Sequence, residues 1–329
     1  MKRKIIKQGH NTLTVTLPSD WARRFNVGAG REVDLCEREN GLFISTEKSG
    51  ETKKAEFDIT GMDIPTIWKY FMAVYREGYD EVLVKFNPDA EIESPYKFYT
   101  SHRIDLRYKK ERAKKTMTEA LNGFVNRFIG FEVVEHGKDF ILIKEMGEIT
   151  SKEFDNSLRR VFLIIQQMAE ETLEALETSD TGMLSHTHDV DINLDKFHDY
   201  CIRVMNKSCN KEVRKTSLLF STLFLLELMG DEFKNISSHI IRDFPQAKFK
   251  NTLPLAKLTK DQFDCYYSLF YNFSKEGISK LSDIDKQVYF NVPFAYKKAS
   301  EDEKEIFHHL RMISRYINSL TELRIEMEF

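Results

Sequence analysis

The chain has 329 residues and a net charge of −3; that length admits two or three domains with a sizeable core. No apolar run nears the length of a membrane span, and Met1-Lys2-Arg3-Lys4 leads into strand-like alternation instead of a signal-peptide core. Cys36, Cys201, Cys209 and Cys265 are scattered without a CxxC pair, which argues against a disulfide framework or zinc knuckle and fits reduced thiols in a cytoplasmic protein.

Charge is unevenly spread. Seven basic residues against Asp20 alone give residues 1 to 31 a charge of +6, leaving −9 for the rest. This asymmetry points to a polyanion-binding end on an acidic body. Within that end, residues 3 to 7 and 12 to 17 read as short strands around the turn Gln8-Gly9-His10-Asn11. Leu13, Val15 and Leu17 alternate with threonines, the period of a half-buried strand. Pro18 stops that strand, and Ser19 is placed to cap a short helix over Asp20 to Phe25. Glu32 to Glu37 and Leu42 to Thr46 form a second strand pair around Asn40-Gly41, a strong hairpin signal. Four short strands and one helical turn make a thin core for a unit of this size. Homodimerisation is therefore expected on physical grounds.

The combination Lys4-Ile5-Ile6-Lys7-Gln8-Gly9, Thr12 to Ala22 with its Leu17-Pro18-Ser19-Asp20-Trp21-Ala22 turn into helix, Gly30-Arg31-Glu32-Val33 and Gly41-Leu42-Phe43-Ile44 resembles the AbrB/SpoVT-like swapped-hairpin DNA-binding domains. The resemblance implies that two protomers interleave hairpins into one barrel. It also implies that DNA is faced by the matching basic residues Lys2, Arg3, Lys4, Lys7, Arg23 and Arg24.

Residues 48 to 54 read as a polar linker. Beyond it, Ile64 to Arg76 is expected to be helical, Glu81 to Phe86 a strand, Arg112 to Phe128 helical, and Phe131 to Glu135 with Phe140 to Lys144 a hairpin around His136-Gly137-Lys138-Asp139. Arg103, Arg107, Lys109, Lys110, Arg112, Lys114 and Lys115 form a second basic patch, read as a solvated loop and helix start. From Lys152 onward the pattern is helical, with long helices expected at about 152–178, 190–208, 211–243, 259–281 and 301–327. Leu158, Val161, Phe162, Ile165, Met168, Leu173 and Leu176 mark one apolar stripe. Antiparallel bundling buries such stripes. The expected class is α+β with three parts: a head at 1–47, a small α/β unit at 55–147, and an all-α bundle at 152–329.

Two carboxylate pairs stand out. Asp191 and Asp195, and then Glu227 and Asp231, stand at i, i+4 on successive helices. Carboxylates so placed can converge on a hard cation, or they can pair with lysine and arginine or simply face solvent. Like charges at i, i+4 repel unless a cation is near. His186 and His188 read as loop and cap residues, and His308 and His309 as exposed polar positions.

Those same pairs resemble the E(D)xxxD motifs of PhoU-type three-helix bundles, over about residues 152 to 245. The resemblance implies a divalent or iron/zinc-type metal ion on Asp191, Asp195, Glu227 and Asp231, and a phosphate-transport or sensor-kinase protein as partner. An AbrB-like head joined through an α/β insert to a PhoU-like body is similar to an archaeal-type phosphate uptake regulator. The second half departs from the PhoU pattern, because His309-Leu310-Arg311-Met312-Ile313-Ser314-Arg315 stands where a second acidic motif is expected.

Catalytic templates fail. Gly28-Ala29-Gly30 lacks the remaining residues of a nucleotide loop, and no GxSxG or HExxH occurs. The sequence thus leads to a non-enzymatic, DNA-binding transcriptional regulator, dimeric through its head and linked to phosphate uptake or signalling. The rival reading is an interaction protein that docks on a transporter or sensor kinase and uses the head only to dimerise.

Overall fold

The computed structural model describes residues 2–38, 41–46, 52–90, 116–147, 151–207, 213–242 and 248–329. The chain divides into two compact units, 1–52 and 53–329.

In the first unit β1 (Ile6–Gln8) pairs antiparallel with β2 (Thr12–Thr14), with Ile6 opposite Thr14. Gly9 takes a φ of +74° in the turn between them, a conformation open to glycine at no steric cost. Both strands are shorter than expected. Pro18, not Ser19, holds the N-cap position of α1 (Ser19–Arg24). Its fixed φ ends the extended run, and Ala22 N–H reaches back to its carbonyl at 2.9 Å. Next, β3 (Asp34–Arg38) pairs with β4 (Gly41–Ser45), Arg38 opposite Gly41. Gly41, the second residue of the Asn40-Gly41 signal, opens β4, and Glu39 and Asn40 lie outside the described residues. No residue of this unit whose burial is described is buried. Ile5, Ile6, Leu13, Leu35 and Leu42 each expose more than half of their surface. A single copy of the head has two hairpins and a helix, but no core.

The second unit begins with β5 (Lys54–Asp58), in a stretch assigned partly to the linker. Only Ala55 and Phe57 turn inward from it. A right-handed connection through α2 (Ile64–Arg76) would carry the chain to a parallel neighbour, and β6 (Glu81–Lys85) does lie parallel to β5. Asp63 caps α2 by accepting from Thr66 N–H at 2.9 Å. After α3 (Met117–Val125), β7 (Phe131–His136) and β8 (Phe140–Glu145) complete a sheet of order β5-β6-β8-β7. A bulge between Val133 and Glu135 turns Val134 outward. The basic patch from Arg103 to Lys115 lies outside the described residues.

Six helices follow: α4 (Ser151–Thr178), α5 (Thr187–Lys207), α6 (Val213–Arg242), α7 (Leu253–Tyr271), α8 (Lys275–Lys298) and α9 (Glu301–Glu326). The stripe on α4 is buried, Leu173 only partly. The single helix expected at 259–281 is two. Asn272 ends α7, and Ser274 caps α8 by accepting from Gly277 N–H at 3.0 Å. Helix α8 then runs on through Pro293.

One core cluster runs without interruption from Ile59 in the α/β part to Leu320 in α9. Arg203 on α5 joins the two parts. Fully buried, it donates through Nη1 to Tyr75 carbonyl and through Nη2 to Tyr79 carbonyl, both at 2.7 Å, and through Nε to Glu145 at 3.1 Å. Its guanidinium lies 4.8 Å from the Tyr75 ring centroid and 4.7 Å from that of Phe131. Lys207, one turn on, pairs with both Asp80 and Glu145.

Candidate functional site

Lys2, Arg3, Lys4, Lys7, Arg23 and Arg24 are all solvent-exposed on the head. Lys7 is in β1, while Arg23 and Arg24 form the last turn of α1, where cations also complement the helix dipole. Trp21 and Phe25 brace that helix, their ring centroids 5.7 Å apart. Lys7, Arg23 and Arg24 thus sit on short, defined elements, Lys2, Arg3 and Lys4 precede β1 outside any strand or helix, and none of the six has a carboxylate partner among the described residues.

In the body, Asp191, Asp195, Glu227 and Asp231 all line one cavity of about 350 Å³. Gly230 lies against Leu194 within that convergence: a Cβ added there would fall 2.0 Å from Leu194 Cδ2, so the buried Leu194 side chain occupies the space a larger residue would need. The α/β part contributes Trp68, Lys69, Arg76 and Arg127 to the same cavity, and α5 contributes Asp199. Five carboxylates therefore face four basic side chains.

The pairing is specific. Lys234 Nζ donates to Asp191 at 2.9 Å and also bonds Asp231. Arg127 Nη2 donates to Asp195 at 2.9 Å while its guanidinium stacks 4.5 Å from the Trp68 ring centroid. Arg76 holds Asp199 through Nε at 2.7 Å and Nη2 at 2.6 Å. Glu227 has no cation within ion-pair distance among the described residues. Burial, then the charge of Asp231, pushes its carboxyl up to about 7. Burial, then the charge of Asp191, also raises Asp195, against the pull of Arg127. Burial works to lower Lys234, but Asp191 and Asp231 hold it above the usual lysine range.

This donor set does not fit the metal ion expected there. Asp191, Asp195 and Asp231 already have basic partners, and Lys234 sits between two of the proposed ligands. What the cavity provides is a nearly charge-balanced acidic–basic pocket with one carboxyl, Glu227, that exchanges its proton near neutral pH. Among the described residues that line it there is no serine, threonine or cysteine.

Among the described residues, the set of three metal-ligating side chains that do gather is His239, Glu305 and His309, one atom from each lying within 4.8 Å of the others. Sequence reasoning missed it. It placed His309 at an exposed position, whereas His309 is 8% exposed and hydrogen-bonded to Glu232 of α6. The Glu305–His309 spacing of i, i+4 was the available local signal; His239 comes from another helix.

Residues 6–52 match the family model described as antidote-toxin recognition MazE, bacterial antitoxin. The match covers the head alone. Among solved structures, the phosphate transport system regulatory protein PhoU from Streptococcus pneumoniae is similar at 18% identity, over 54% of this chain and 94% of that one, with a TM-score of 0.45. No curated protein matches the chain.

Proposed function

We propose that the protein is a DNA-binding transcriptional regulator of phosphate uptake or signalling, working as a homodimer in the cytoplasm without enzymatic activity. The carrying observation is the head. It has no core in a single copy, exposes a set of large apolar side chains, and presents six exposed basic residues beside them. A second copy supplies the missing core, and the paired basic residues then follow the phosphates of a duplex. The phosphate assignment is supported by the paired carboxylate motifs, which meet in one cavity. That cavity is the place for a signal to act, because Glu227 changes charge near neutral pH. Among the described residues no helix is long and apolar enough to cross a membrane.

Fluorescence anisotropy with the intact protein and duplex DNA tests this. Affinity is expected to fall steeply with salt, and to fall again when Arg3, Lys4, Arg23 and Arg24 are changed to alanine. Unchanged affinity in that variant removes the DNA-contact assignment.

A second reading is favoured by one observation. Tyr289, Phe290 and Phe294 on α8 are 73%, 63% and 70% exposed, and contiguous exposed apolar groups mark interaction surfaces. In this reading the body docks on a transporter or sensor kinase and the head only dimerises. It is preferred if the intact protein shows no DNA affinity and partner binding survives deletion of residues 1 to 47.

A further inference from the structure

We propose that His239, Glu305 and His309 form a zinc-type metal site between α6 and α9, separate from the acidic cavity. The three offer one ligating atom each within a mutual distance of 4.8 Å. Two imidazoles and one carboxylate are a donor set that suits zinc and related first-row divalent ions.

A separate observation concerns the chemistry of His309. Its Nδ1 lies 2.5 Å from Glu232 Oε2. A carboxylate oxygen only accepts, so Nδ1 carries the hydrogen. In the neutral ring the lone pair is then on Nε2, and that atom is buried with no hydrogen-bond partner. A buried nitrogen left without a partner is costly. A metal ion satisfies it with no change of tautomer.

Glu232 has the outer role that metal-bound histidines ordinarily require. A carboxylate on the far ring nitrogen fixes the ring and raises its basicity. Glu232 is itself approached by Tyr316 Oη at 3.4 Å, from the same helix as His309. The ring centroids of His239 and His309 are 5.2 Å apart. Glu305 stands one turn before His309 and is solvent-exposed, so an ion can enter from that side. Three protein ligands leave a fourth position for water or an exogenous anion.

The test is titration of the purified, metal-stripped full chain with Zn²⁺ by calorimetry, and with Co²⁺ followed by its visible absorption. One equivalent per chain is expected, with the intense visible bands of four-coordinate Co²⁺. Glu305→Gln and His239→Ala, both at positions that are not fully buried, are expected to weaken binding at least tenfold. Glu232→Gln is expected to weaken it by about 10- to 100-fold by loosening its hold on the His309 ring. His308→Ala, and the cavity variant Asp191→Asn, are expected to bind as the parent does. No stoichiometric binding by the parent, or binding that survives both Glu305→Gln and His239→Ala, overturns the proposal. Loss of binding in Asp191→Asn with retention in those two variants also overturns it, by moving the ion to the cavity.

Discussion

Gly230 of α6 faces Leu194 of α5 across a gap that cannot hold a methyl group: an added Cβ would stand 2.0 Å from Leu194 Cδ2. That contact is set among the cavity's carboxylates, since Glu227 and Asp231 flank the glycine and Asp191 and Asp195 flank the leucine. Gly230→Ala gains helix propensity but overpacks the contact. A net loss of about 1–3 kcal/mol is expected, read as a lower urea midpoint. Trimming the partner in Leu194→Ala/Gly230→Ala is expected to cost less than the two single changes added together, because the new methyl fills part of the vacated space.

Glu227 gives the body a pH dependence. Its carboxyl is raised from the model-peptide value of 4.5 to about 7 in the folded state. Between those values the folded state binds more protons than the unfolded chain, so this group makes stability fall as pH rises from about 4.5 to 7. Below that window it contributes no penalty, and above it the penalty is complete. Glu227→Gln should therefore be more stable than the parent at pH 8, by on the order of 2 kcal/mol, and nearly equal to it at pH 4. Thermal melts across that range check the sign. A gain that is constant with pH would mean that the side chain is not titrating in the window.

Arg203 is expected to be among the most sensitive positions in the chain. Arg203→Met keeps much of the volume but leaves the Tyr75 and Tyr79 carbonyls and Glu145 without the guanidinium. Breaking a buried, fully bonded charge in this way costs about 3–5 kcal/mol. Denaturant unfolding of the variant should show that loss, and amide exchange at the end of α2 should accelerate more than exchange in α9.

On the head, Arg23→Ala/Arg24→Ala is expected to weaken binding to all duplex sequences alike, because the contacts proposed are with phosphates. The slope of log affinity against log salt should fall by about 0.9 for each phosphate contact removed. Anisotropy at several salt concentrations measures it. A loss confined to one sequence would instead point to base contacts by these arginines.

Much of the fold is legible where the pattern is strong and local. The stripe on α4 and the apolar spacing in α2 mark their helices to within a residue or two. The antiparallel pairing of β3 with β4 agrees with the hairpin signal at Asn40-Gly41. Strand β5 was lost because only Ala55 and Phe57 carry its inward face. The break between α7 and α8 was lost because apolar residues continue through Tyr271 and Phe273, although Ser274 is a good cap. At the cavity, the i, i+4 spacing rightly brought four carboxylates together. The partner Lys234, at i+3 from Asp231, was readable from the same helix. Arg76 and Arg127 were not, since they arrive from the α/β part. His309 was misread because its environment is set by Glu232, 77 positions away.

The bond between Tyr75 and Arg203 spans 128 residues, and that between Arg203 and Glu145 spans 58. During synthesis all four strands of the sheet leave the ribosome well before the side chain that closes its bundle-facing side. Until residue 203 emerges, the Phe131 ring lacks its guanidinium cover, and the chain end of α2 must bond to water. A nascent chain arrested anywhere between Glu145 and Arg203 therefore carries a complete set of strands in an unfinished sheet. Such chains are the expected targets of chaperones and proteases, and the timing of translation through α5 sets how long each chain is vulnerable.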